Sequence, residues 1–209
     1  MAVTTPIEAK VAVGCDMFYM AKNTANTAEN TTYEEPFNVP INAVTNDSAE
    51  EKATYYFDNH KNDVVVSGNG DEELGLVSSF IPLEVLAPII GQVFENGAML
   101  VGAKENALYA CMWRTKLSDG KHRYHCAMLV DFTRPANNAN TEEGTNGSML
   151  ELTGTVKFTA KEWTLKDGTT KKSFMFTQMD EGAIEGVDLD KKWFEAVPTP
   201  DVIKTFTAG

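Results

Sequence analysis

Asp119-Gly120 stands between two runs of alternating apolar and polar residues, Leu108–Lys116 and Lys121–Phe132. This dipeptide favours a tight type I′ hairpin turn, in which both central residues take positive φ. With Ser118 opposite Lys121, Trp113 faces Cys126, Cys111 faces Met128, Tyr109 faces Val130 and Thr115 faces Tyr124, on one mostly apolar side. The other side pairs Arg114 with His125, Met112 with Ala127 and Ala110 with Leu129. A slip of one residue would turn every side chain over, so the register constrains the fold strongly. One apolar face and one half-apolar face point beyond a lone monomer. The mixed face is a candidate surface for a neighbouring subunit or for the helix around Leu86.

Other hairpins surround this one. Val11–Lys22 reads as an early strand, Asn23–Thr32 as a polar loop and Pro36–Val44 as a short extended piece. Glu50–Phe57 and Asp63–Ser67 flank a polar turn, Asp58–Asn62. Gly68-Asn69-Gly70 breaks that pair, and Leu74–Phe80 continues the sheet. Pro82–Ile90 is the best helix: Pro82 suits its first turn, Glu84 its positive end and Gly91 its C′ position, against which Pro88 removes a donor. Met149–Lys166 and Thr169–Met179 read as a third hairpin around Asp167-Gly168, pairing Val156 with Met179, Phe158 with Thr177 and Ala160 with Met175. Asp188–Val197 is a short helix carrying Trp193 and Phe194. Hairpins outnumber helices, which predicts a mainly β fold, a β-sandwich or barrel-like pair of antiparallel sheets with one flanking α-helix. The 209 residues suit one domain, 1–209, with an N-terminal arm at about 1–12, a long loop at about 134–148 and a C-terminal segment at about 186–209.

Charge and motifs narrow the function. With 18 Lys and Arg against 30 Asp and Glu, the net charge is -12, a poor match for tight phosphate binding. Met1–Ala9 shows no basic segment followed by an apolar core, and Phe80–Phe94 is too short and broken to span a membrane. Three cysteines fit synthesis in a reducing cytoplasm. His122 and His125 fall on opposite faces of one strand, so they do not chelate one ion with Cys126, and His60 is distant. Cys111 and Cys126 share the apolar face as small core residues, and a disulfide between them is open. Asp71-Glu72-Glu73 and Glu142-Glu143 read as solvated loop acids. Gly68-Asn69-Gly70 lacks the lysine and helix of a phosphate loop. Lys171-Lys172 beside Phe174 and Phe176 is too small a platform for nucleic acid. No catalytic residue, cofactor site or metal site is expected, and no enzyme activity.

The order of segments resembles the major tail tube protein family of long-tailed, non-contractile (siphovirus-type) bacteriophages. Val13-Gly14-Cys15-Asp16-Met17-Phe18-Tyr19-Met20-Ala21 is similar to that family's opening strand, and Tyr56-Phe57-Asp58-Asn59 to its aromatic-to-Asp-Asn turn. Ile81–Gly91 resembles its helix ending in glycine, the Asp119-Gly120 hairpin follows in place, and Trp193-Phe194-Glu195-Ala196-Val197 resembles its closing segment. Pro88 and the polar stretch around Asn140 depart from the pattern. The resemblance implies a two-sheet β-sandwich with a flanking helix. It also implies a homo-hexamer stacked into a helical tube, holding a tape measure protein before ejection and then passing genome DNA non-specifically. Tail terminator and distal tail proteins would meet the tube ends, the location would be the virion tail, and the subunit would not insert into a membrane. Acidic lumen candidates are Glu51, Asp58 and Asp63, and the 134–148 loop is the expected contact with the next ring. The alternative is a carbohydrate- or receptor-binding β-sandwich using Tyr33, Tyr55, Tyr56 and Trp163.

Overall fold

The computed structural model describes residues 10–47, 50–57, 60–69, 72–135, 149–165, 168–169 and 171–207, with the side chains of 47–71 outside that description. In chain order the elements are β1 (Ala12–Asn26), β2 (Thr31–Tyr33), β3 (Phe37–Asn38), β4 (Ala43–Asp47), β5 (Glu50–Phe57), β6 (His60–Asn69), β7 (Glu72–Ser78), α1 (Leu83–Ile89), β8 (Val93–Glu95) and β9 (Ala98–Leu100). They continue with β10 (Tyr109–Leu117), β11 (His122–Phe132), β12 (Leu150–Val156), β13 (Trp163–Thr164), β14 (Lys171–Lys172), β15 (Phe176–Asp180), α2 (Leu189–Glu195) and α3 (Pro200–Ile203). The expected mainly β architecture, antiparallel with a flanking helix, is the one adopted. Nine strands form one sheet in the order β2-β1-β10-β11-β12-β7-β4, with β3 also paired to β1 and β15 to β11.

The central hairpin forms where Asp119-Gly120 places it, with a different turn. Gly120 has a φ of 84°, and Asp119 is not left-handed. The Gly120 N–H donates to the Leu117 carbonyl at 2.9 Å, and the Leu117 N–H donates to the Lys121 carbonyl at 2.8 Å. This is a three-residue loop, a type I turn closed by a left-handed glycine. The extra loop residue corrects the register near the turn: Trp113 faces His125, Met112 faces Cys126 and Arg114 faces Tyr124. The expected Tyr109–Val130 pair returns only after a register shift. The shift lies at Met128 and Leu129, whose consecutive side chains enter the same core, as a bulge requires. Both positive φ angles of a type I′ turn occur instead at Asn96 (51°) and Gly97 (80°), which join β8 to β9.

That bulge is also where the sheet forks. Arg123–Ala127 of β11 pairs with β15, while Val130–Phe132 pairs with β12 on the same edge. At the branch, Met128 N–H donates to the Met175 carbonyl at 2.8 Å and the Leu129 carbonyl accepts from Lys157 N–H at 2.7 Å. The fork corrects the third hairpin. Its register holds for Trp163–Lys172 and Thr164–Lys171 alone. Beyond these pairs the strands separate, because β12 finds partners on both edges, β11 and β7. A two-stranded hairpin would have left one of those edges open. The polar loop over 23–32 is likewise shorter than expected: β1 runs to Asn26 and turns back into β2, with Asn23 opposite Tyr33.

Both faces of the central strands are buried. Tyr109, Cys111, Trp113, Ala127, Val130 and Phe132 join Phe18 and Met20 in one core, which α1 closes with Leu86, Ile89 and Ile90. Ala110, Met112, Tyr124, Cys126, Met128 and Leu129 lie in a second core, which Leu189, Trp193, Phe194, Val197 and Phe206 close. The mixed face therefore needs no neighbour to cover it: the C-terminal segment of the same chain does so. Met17, with a φ of 52°, is the extra residue that lets β1 serve both cores. Outside the centre, β12 and β7 alternate buried and exposed residues and have one apolar face.

Two local conflicts have physical resolutions. Pro88 lies inside α1, but Pro88 and Glu84, the residue whose carbonyl loses its donor, are both on the exposed side. Gly91 ends the helix with a φ of 66°, and its carbonyl accepts from Glu105 N–H at 2.9 Å. At the opposite margin, β4 and β7 pair with each other, and β5 and β6 form a separate two-stranded ribbon. β6 starts at His60, so the turn is shorter than expected, and Asp58 lies outside the described residues.

Candidate functional site

The strongest polar constellation ties the C-terminal segment to the sheet. Arg114 on β10 makes a two-pronged contact with Asp16 on β1, Nε to Oδ1 at 2.6 Å and Nη2 to Oδ2 at 2.9 Å. Its Nη1 donates to Asp190 Oδ1 on α2 at 2.5 Å, and the Tyr124 hydroxyl donates to the same oxygen at 2.5 Å. Register places these groups: Asp16 lies opposite Arg114, and Arg114 opposite Tyr124. The hydrogen bond from Arg114 holds the Asp16 carboxyl below the usual carboxylate range. Partial burial acts to raise Asp190, but the donors Tyr124 and Arg114 outweigh it and the net shift is down. Carboxylates held ionised by such donors are poor proton shuttles near neutral pH. The set works as a clasp.

A second clasp sits on α3. Asp201 Oδ2 accepts from Lys161 Nζ and Trp163 Nε1, each at 2.8 Å. The Lys161 hydrogen bond leads the causes that lower its carboxyl to about 2. Trp193 Nε1 donates to the His125 carbonyl at 3.2 Å, and Thr177 Oγ1 to the Pro198 carbonyl at 2.9 Å. Rings continue the seal: Tyr19 meets Phe194 at 4.9 Å and Tyr124 meets Trp193 at 5.8 Å between centroids.

The residues singled out in the sequence do not converge. His122 bonds Glu181 through Nδ1 at 3.0 Å, whereas His125 stacks on Trp113 at 5.1 Å with its planes 6° apart. Burial pulls His125 down to about 4, and its Nε2 has no partner. Among the described residues no group of three His, Cys, Asp or Glu could hold a metal ion. Cys111 and Cys126 lie in different cores, which corrects the shared face and removes the geometry for a disulfide. Burial pushes both thiols up, away from the reactive thiolate. Glu72 and Glu73 open β7, while Asp71 and Glu142-Glu143 lie outside the described residues. So do the side chains of His60, Tyr55, Tyr56, Glu51 and Asp63. Trp163 is buried and the Tyr33 hydroxyl donates to the Met128 carbonyl at 3.0 Å, so neither is free to form a sugar platform.

Sequence reasoning missed an open recess of about 380 Å³ between β2 and the C-terminal segment, lined by Thr32, Tyr33, Glu34, Glu35, Glu195 and Thr199. Its three carboxylates make it a poor seat for an anion. No local sequence pattern announces it, because its two walls lie far apart in the chain. Among the described residues no helix is long and apolar enough to cross a membrane.

No family model matches the sequence, and no curated protein matches it. A solved structure that overlaps this chain is described as "Cryo-EM Structure of an Extracellular Contractile Injection System, PVC sheath/tube terminator in extended state". It is 10% identical, the overlap covers 85% of this chain and 99% of that one, and the TM-score is 0.39. A likeness that distant fixes neither the fold family nor the role of this chain.

Proposed function

We propose that this chain is a structural subunit of a phage-type tail. The finer reading is a tail tube protein of a long-tailed, non-contractile phage, whose copies form hexameric rings that stack into the conduit for genome DNA. The ordered motifs from Val13–Ala21 to Trp193–Val197 support it, as does a mainly β fold with a helix laid over one face. The observation that carries it is the β5–β6 ribbon. β5, eight residues long, and β6, ten residues long, pair with each other and with no other strand among the described residues. A ribbon of that length has two unpaired edges, which natural proteins cover or blunt. A tube supplies the cover by joining ribbons from neighbouring copies.

Under this reading the acidic balance serves passage of DNA. A surface with net charge -12 offers few cations to exchange for the counterions of the phosphate backbone, so DNA slides without being held. The same lumen would take a tape measure protein before ejection, and the tube ends would meet terminator and distal tail proteins. The role is architectural and no reaction is assigned to it. Negative-stain electron microscopy of the purified chain at high concentration tests the reading. Rings with six-fold symmetry, or tubes built from them, are the expected result. A chain that stays monomeric at every concentration and salt level refutes it.

A further inference from the structure

The chain covers both faces of its central strands, yet apolar side chains on α1 and on the hairpin after it stay wet. On α1, Leu83 points away from the core, and Phe80 just before the helix is 68% exposed. The β8–β9 hairpin beside α1 pairs with no other strand among the described residues, and its cross-strand pair Val93–Leu100 is 46% and 49% exposed. Val101, just after β9, is exposed as well. A two-stranded hairpin of three residues a side is not stable by itself. This one is nevertheless held firmly: Gly102 N–H donates to Gln92 Oε1 at 2.8 Å, and Glu105 N–H donates to the Gly91 carbonyl at 2.9 Å. Apolar side chains left exposed on a firmly held element mark a candidate interaction site.

We infer that this face binds the start of β1 in a second copy of the chain, head to tail. The inference rests on the reading of the chain as a tail subunit and names the surfaces its copies use. The second apolar strip is Val11 and Val13, 66% and 68% exposed. The two surfaces lie towards opposite ends of β10: Lys104, beside the hairpin, is paired with Asp131 next to the Tyr109–Val130 pair at its beginning, while Ala12 pairs with Leu117 at its end. Two unlike patches at opposite ends make a heterologous contact, which generates rings or stacks rather than a closed dimer. Charge matches as well. Exposed Glu84, Glu95 and Glu105 rim the helix–hairpin face, and Lys104 there is turned to Asp131. Exposed Lys116 and Lys121 flank the β1 strip, where Asp119 is engaged by Lys10. An acidic rim disfavours an anionic lipid surface and favours this basic end.

The test uses two variants of the full chain, Leu100→Glu on one surface and Val13→Glu on the other. Both positions are exposed, so thermal melting should match the wild type. Leu83→Glu replaces the first variant if it does not. Each variant alone should need a concentration at least about 30-fold higher than the wild type to assemble, the loss expected for a central interface position. Mixed in equal amounts, the two should form a one-to-one dimer by sedimentation velocity, because each keeps the surface the other has lost. Assembly of either variant at the wild-type concentration, or a mixture that stays monomeric, overturns this inference and leaves the tube reading standing. A wild-type chain that never assembles overturns both.

Discussion

Replacing Gly154 with alanine should cost about 1–2 kcal/mol. Gly154 lies on β12 between Phe132 of β11 and Leu74 of β7, just past the fork. A Cβ there would sit 2.5 Å from Val130 Cγ1 and 2.9 Å from Phe132 Cδ1. Comfortable carbon contacts are about 3.5–4.0 Å, so two side chains must each move by roughly 1 Å. Both are fully buried, among Leu74, Leu152 and Val156 in the helix-covered core. Overpacking of that kind costs about 1–3 kcal/mol. Removing a glycine from the unfolded chain returns about 0.4–1 kcal/mol. The difference is the expected net loss.

Gly14 supplies the control. Nothing lies within 4 Å of a Cβ built there, and its backbone is not left-handed. Gly14→Ala keeps the unfolded-state gain and should stabilise the chain by about 0.4–1 kcal/mol. Urea unfolding of the full chain, compared by midpoint at unchanged slope, reads both. Adding Val130→Ala to Gly154→Ala removes the closest atom, so the double variant should lose less than the two single losses combined. A coupling of about 0.5–3 kcal/mol is expected for residues in contact. Equal midpoints for Gly154→Ala and wild type, or strict additivity with Val130→Ala, would refute the packing of this fork.

Three further substitutions test other contacts. Trp193→Ala empties the centre of the second core and frees the His125 carbonyl; a loss of about 3–5 kcal/mol is expected by urea unfolding, together with dye binding to the uncovered sheet. Gly91→Ala forces a side chain into a left-handed backbone and puts its Cβ 2.3 Å from the Glu105 carbonyl oxygen, so a loss of at least about 2 kcal/mol should appear as a lower melting temperature. Burial, then the Arg123 charge, lowers His125 to about 4 from an ordinary 6.5, against a smaller opposing effect of Asp180. The unfolded chain therefore takes up the proton first, and stability present above pH 6.5 is lost as pH falls towards 4, by up to about 3 kcal/mol. His125→Phe keeps a ring on Trp113 and should flatten that part of the pH profile; an unchanged slope would place its origin elsewhere.

What the sequence made legible was local. Asp119-Gly120 located a hairpin because glycine there supplies the positive φ a tight reversal needs. It did not settle whether one or both central residues would use it. That single backbone angle decided whether Cys126 shared a face with Cys111 or turned to the opposite core. Asn96-Gly97, which does make the two-residue turn, was overlooked because its flanking strands are three residues long. Trp163–Lys172 paired as the turn dictates, yet Val156 did not reach Met179, because the edges of β11 and β7 compete for β12. Such competition is set by strands far apart in the chain, so no window around Asp167 contains it. The C-terminal helix was visible from Trp193 and Phe194. Its destination was not, because nothing in 188–197 specifies which of two apolar faces it covers.

That destination removes one reason to expect a second subunit. The two-sided apolar character of β10 and β11 suggested a second subunit while the cover was unassigned. Once α2 and the residues after it supply the cover, held by Arg114–Asp190 and Asp201–Trp163, that pattern is neutral about copy number. Evidence for copies must come from surface the chain cannot cover itself. Among the described residues such surfaces include the self-paired β5–β6 ribbon and the apolar α1–β8–β9 face. They make separable demands: a ribbon edge asks for backbone hydrogen bonds from another strand, whereas the helix–hairpin face asks for side chains and excluded water. A neighbour that satisfied only the ribbon would leave Phe80, Val93 and Leu100 wet in the finished assembly. An assembly that satisfies both needs at least two distinct contacts per copy, and a ring that also stacks provides them.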